Sequence, residues 1–169
     1  AKPDAVSGLD HVVINTPNPE RAAALYGARL GLRLALDRSN PDWDMRLMFF
    51  RVGQLTIELA HRLSAGVSSA PDKLWGLSWR VPDIEAAHAR LADANFAVTS
   101  IRAGRRAGTK VFTVRDGTVG VPTLVLSADN PAESWEAVFE TMNVDAAALL
   151  PAGMATPERF YLQEYENES

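Results

Sequence analysis

"GLDHVVINTPNPERAAALY" (residues 8–26) runs a short β-branched stretch through a Pro-flanked turn into an Ala-rich one. Residues 9–15, short and largely β-branched, predict a strand. Asn18 as N-cap, Pro19 at the first helical position and Glu20 in the first turn predict a helix over 18–30, with Gly31 as its stop. Within the strand stands one histidine, His11, either a core residue with a satisfied hydrogen bond or a ligand or acid/base group. Three further strands are predicted at 32–38, 45–52 and 55–61, so residues 8–61 form one βαβββ unit.

After a Ser/Ala/Gly-rich linker, 62–73, the order recurs in 74–127. A strand over 74–81 leads into a helix over 82–95 with Asp83 as N-cap, followed by strands at 96–102, 109–116 and 121–127. The letters repeat as well: "GLSW" (76–79) echoes "GLDH" (8–11), and "TLVL" (123–126) echoes "TIEL" (56–59). A sheet with one helix-covered face leaves its other face unburied, so two such halves are expected to pair. The expected fold is α+β: two tandem βαβββ units forming a partly open, eight-stranded barrel-like sheet around a ligand-sized concavity. Residues 128–169 form a C-terminal extension. Its helix, near 131–142, would put Trp135, Val138, Phe139 and Met142 on one face.

The 169 residues are 47% hydrophobic and 22% charged, enough for a sizeable core without disulfides. A formal charge of −4 argues against a nucleic-acid surface. No apolar run approaches the roughly 18 residues of a membrane span, and 1–7 lack a signal-peptide pattern. With no cysteine, thiolate ligands and thiol nucleophiles are excluded, and a cytoplasmic location fits.

The tandem units, the "LDHVVI" opening, the "GLRL" strand and "LTIEL" together resemble the vicinal oxygen chelate superfamily: glyoxalases, bleomycin-resistance proteins and extradiol dioxygenases. The resemblance covers residues 8–127. It implies a His or Gln on the first strand and a Glu on the last strand of each unit, together holding a divalent metal (Fe, Ni, Zn, Mn or Mg) that chelates two neighbouring substrate oxygens. His11 and Glu58 match in the first unit. Trp79 and Val125 stand at the corresponding places of the second and ligate nothing. Association as a homodimer is expected from the family habit and from the apolar tail.

Alternation places Thr56, Glu58 and Ala60 on one side of their strand and Ile57 and Leu59 on the other. Glu58 is either a solvent-facing carboxylate or a proton acceptor beside His11. Trp79 offers a stacking surface or core bulk. Arg46, Met48 and Phe50 share a face suited to an anionic or aromatic small molecule, unless Arg46 sits at a solvated rim. "RAGRRAGTK" (102–110) reads as a solvated basic hairpin or a clamp for an acidic group. His88 is expected to be exposed, His61 shows no partner, and Ser100 and Ser127 lack the context of a nucleophile. Two functions remain: a glyoxalase-like lyase, isomerase or dioxygenase with Glu58 as proton acceptor, or a metal-free ligand-sequestering protein of the bleomycin-resistance type.

Overall fold

The computed structural model describes residues 2–104, 106 and 108–129. The elements are β1 (Gly8–Asn15), α1 (Pro19–Ala23), β2 (Arg33–Asn40), β3 (Met45–Val52), β4 (Leu55–Arg62), β5 (Lys73–Arg80), α2 (Ile84–Asp93), β6 (Arg102–Ala103), β7 (Thr109–Val114) and β8 (Thr123–Ala128). They make an open, eight-stranded mixed sheet with few helices, the α+β architecture expected. The helix expected near 131–142, and all of the extension after 129, lie outside the described residues. The chain divides within β1 into two compact units, residues 2–12 with 75–129, and residues 13–74.

In the unit of residues 13–74 the strand order is β2-β3-β4-β1, with β2, β3 and β4 antiparallel. The predicted helix starts as expected: the Asn18 side chain accepts from the Arg21 amide at 3.0 Å. It does not continue as one α-helix. From Ala24 to Arg29 it widens into a π turn, with the Leu30 amide donating to the Leu25 carbonyl at 2.9 Å. Tyr26 lies in that turn with its ring 6.0 Å from Phe50. Gly31, at a φ of 67°, ends it in a conformation that costs a side-chain-bearing residue energy. Ala22 and Ala23 bring α1 down onto Leu34, Met48, Phe50 and Leu59, the core of this unit.

In the unit of residues 2–12 and 75–129 the order is β1-β5-β8-β7-β6, with β5 parallel to β8 and β7 antiparallel to both its neighbours. Ile84 and Ala87 of α2 pack on Val81, Phe112, Val114 and Val125. The strand expected at 96–102 shrinks to Arg102–Ala103 and a single bridge from Val98 to Val114. Backbone bonds from the Thr99 amide to the Thr113 carbonyl and from the Arg115 amide to the Ala97 carbonyl remain, but side-chain oxygens replace the others: Asp116 accepts from the Ala97 amide at 2.9 Å, and Thr99 Oγ1 from the Thr113 amide at 2.9 Å. Helix α2 begins at the expected cap, where the Asp83 carboxylate accepts from the Ala86 amide at 2.8 Å. Asp83→Ala is expected to destabilise the protein by about 1 kcal/mol. A thermal melt showing a drop of a few degrees checks it.

Candidate functional site

Asp10 and His11 are consecutive on β1, and neighbouring side chains on a strand normally leave by opposite faces. Here they meet: His11 Nδ1 lies 2.9 Å from Asp10 Oδ2. The carboxylate is held from elsewhere as well. Arg80 of β5 donates to Asp10 Oδ1 from Nε at 3.3 Å and from its terminal nitrogen at 3.0 Å, and Arg106 pairs with the same oxygen at 3.6 Å. Asp10 is only 2% exposed. Burial by itself pushes its carboxyl pKa up. The His11 hydrogen bond, the Arg106 and His11 charges and the Arg80 hydrogen bond outweigh burial and hold it well below the usual carboxylate range. An ionised carboxylate only accepts, so Nδ1 of His11 carries a proton. On the far side of the ring, the Ser78 hydroxyl lies 2.8 Å from Nε2. Ser78 is 3% exposed.

Serine, histidine and aspartate thus stand in one hydrogen-bonded row, an arrangement the sequence did not reveal. Ser100 and Ser127 drew attention there, whereas Ser78 stands in "GLSW", two residues ahead of Arg80 on the same strand face. The "RAGRRAGTK" segment is not simply a solvated hairpin either. Its Arg106 reaches Asp10 with a side chain 15% exposed.

The helix caps align the repeat differently than shared letters do. His11 precedes its helix cap, Asn18, by the same seven positions that separate Gly76 from Asp83. Gly76, rather than Trp79, therefore stands at the His11 position of the second unit. A Cβ there would come 2.9 Å from the Pro122 carbonyl oxygen, so a ligating side chain has no room without backbone movement. Trp79 is in register with Val125, and Val125 belongs to the core under α2. Both face the helix, away from the side of Ser78.

Arg46, Met48 and Phe50 do share a face, but it is the helix side of β3, which corrects their expected place in a ligand pocket. Met48 is fully buried and Phe50 is 1% exposed beneath α1. Arg46 bonds Glu20 of α1 and, at 2.9 and 2.7 Å, Asp37 of β2. Glu58 lies on the opposite face of its unit, half-buried and in register with Phe49. Phe49 packs with Ala35 and Leu36, so this carboxylate stands beside apolar bulk, on the side of the strand opposite Ile57 and Leu59 that alternation in "TIELA" predicted. His61 has a partner after all: its Nδ1 donates to the Thr16 carbonyl at 3.0 Å. His88 is half-buried rather than exposed, bonded to the Thr99 carbonyl at 3.0 Å and edge-on to Phe112.

A chelated divalent metal does not fit these residues. Among the described residues no group of three or more His, Cys, Asp or Glu side chains is placed to hold one. Both ring nitrogens of His11 are engaged, and Gly76 closes the matching position of the second βαβββ repeat.

Residues 10–113 match the Glyoxalase/Bleomycin resistance protein/Dioxygenase superfamily. The chain belongs to that superfamily. It is 31% identical over 96 residues to an ethylmalonyl-CoA/methylmalonyl-CoA epimerase of Cereibacter sphaeroides, covering 53% of this chain and 72% of the relative. Its fold is similar to methylmalonyl-CoA epimerase from Mycobacterium tuberculosis, with a TM-score of 0.60 at 23% identity over 75% of this chain and 91% of that one. A Streptomyces coelicolor methylmalonyl-CoA epimerase in complex with 2-nitronate-propionyl-CoA gives a TM-score of 0.59 at 15% identity over 75% and 100%. Among the described residues no helix is long and apolar enough to cross a membrane.

Proposed function

We propose that this chain is an isomerase-type enzyme that moves a proton at a carbon next to a carbonyl of a small acyl ligand. Acyl thioesters carrying a second carboxylate, the class for which its relatives are named, are the first substrates to try. The observation that carries the reading is His11, fixed through Nδ1 by a buried, ionised Asp10. An imidazole oriented in this way presents its basic nitrogen, Nε2, to the Ser78 hydroxyl, a pair suited to relaying a proton. Abstraction leaves the C–H electron pair on the carbonyl oxygen as an enolate. Arg80 and Arg106 put positive charge near the same histidine, which favours an anionic ligand. Glu58, half-buried beside Phe49, is proposed as a proton acceptor in its own unit. No step is routed through a metal, because the donor set does not fit one.

The departures at Gly76 and Val125 favour a second reading, a ligand-sequestering protein without turnover. Incubation with methylmalonyl-CoA in deuterated water separates the two. The isomerase reading expects deuterium at the α-carbon far faster than in buffer, followed by mass spectrometry. Saturable binding with no exchange above buffer overturns it in favour of sequestration.

A further inference from the structure

We propose that Asp10, His11 and Ser78 form a proton-transfer centre that works without a metal on His11. Ser78 Oγ takes the ligand's proton as its own hydroxyl proton passes to Nε2 of His11, and Asp10 is the positioning residue. The chemistry rests on the isomerase reading above; the geometry does not.

The arrangement is built rather than incidental. Consecutive strand residues do not bond through their side chains unless something turns them together. Arg80 and Arg106 do this from β5 and from the loop ahead of β7, by fixing Asp10 Oδ1 while Oδ2 takes the Nδ1 proton of His11. With the proton of the neutral ring on Nδ1, the lone pair is on Nε2, which faces Ser78 Oγ at 2.8 Å. A hydroxyl both donates and accepts. It donates to Nε2 before proton transfer and accepts from Nε2–H afterwards, so the buried pair is satisfied in either state. Asp10 serves both states as well, as acceptor first and as counter-charge to the imidazolium second. A metal on either nitrogen would break one of these bonds and strand a buried polar group, Asp10 or Ser78. One strand, β5, thus supplies both the arginine that orients the acid and the hydroxyl that meets the base. In the reaction the α-carbon's C–H bond breaks, its electron pair passes to the carbonyl oxygen, its proton passes to Ser78 Oγ, and the hydroxyl proton of Ser78 passes to Nε2. Return of a proton to the carbon restores the neutral ring.

The test reads the ring directly. Uniformly ¹⁵N-labelled full-length protein is studied by long-range ¹H–¹⁵N NMR at neutral pH, with His11 assigned from His11→Asn. The expected pattern is a protonated Nδ1 and an unprotonated Nε2. Ser78→Ala is expected to shift Nε2 and leave Nδ1 in place, whereas Asp10→Asn is expected to lose the single-tautomer preference. Stoichiometric Zn²⁺ or Mg²⁺ is expected to leave both nitrogens unmoved. A wild-type proton on Nε2 alone, an Nε2 signal indifferent to Ser78→Ala, or His11 signals that move to saturation at one equivalent of metal each overturns the proposal. Since Ser78→Ala alone can refute it, poor folding of Asp10→Asn does not shield it. The expected tautomer without α-carbon exchange overturns the isomerase reading and leaves the centre's geometry standing.

Discussion

Asp10→Ala is expected to be the most destabilising single change in the site, lowering stability by about 3–5 kcal/mol. The carboxylate is buried and answers to His11, Arg80 and Arg106 together, so its removal leaves two guanidiniums and an imidazole N–H facing a small void. Arg80 is 28% and Arg106 15% exposed, enough for partial rehydration, which places the loss toward the lower end of that range. For a chain of this size such a loss moves the melting midpoint by roughly 10 °C. Asp10→Asn keeps the volume and removes the charge, and it separates the two contributions. The pH dependence follows from the depressed pKa. The carboxyl's ordinary value is 3.8 and its folded value lies well below, so the stabilisation from its ionised form is complete above 3.8. It is lost only as pH falls toward the folded value. The stability gap between wild type and Asp10→Asn is therefore expected to stay constant from neutrality to about pH 4 and to shrink in more acid solution, measured by urea unfolding. A gap that closes by pH 6 would contradict the assigned cause.

The parts of this architecture that local chemistry dictates were readable in the sequence. Asn18 and Asp83 cap helices because a short side-chain oxygen ahead of an Ala-rich run has little else to do. Period-two alternation separated Glu58 from Ile57 and Leu59 correctly. The π turn at Ala24–Arg29, where Tyr26 packs on Phe50, was not readable, since the helix start signals say nothing of how the turn continues. The repeat's register is readable from the helix caps and not from shared letters. Shared letters matched His11 to Trp79, whereas helix caps match it to Gly76, a residue that leaves no chemical signal except absence. The cap spacing was available all along and would have been the better ruler. Arg46, Met48 and Phe50 show the limit of alternation: it groups residues onto a face without saying which face the helix covers. Ser78 and Arg106 lie 67 and 95 positions from His11 in the chain, so only the pairing of β1 with β5 and the path of the following loop bring them to it.

His11→Asn is expected to slow α-carbon exchange by roughly 10²–10⁴-fold, the usual share of a positioned general base. Asparagine is chosen because its amide N–H stands near the place of the imidazole Nδ1–H and continues to answer Asp10, while nothing replaces Nε2. The expected signature is a fall in kcat with KM changed only a few-fold, because a base acts in the transition state and contributes little to ground-state binding. A melting temperature close to wild type would show that the loss is chemical. His11→Asn at the wild-type rate would remove His11 from the reaction, whatever its tautomer. Glu58→Gln is the independent arm. It preserves shape beside Phe49, and a full exchange rate in that variant would leave His11 to carry the chemistry without Glu58.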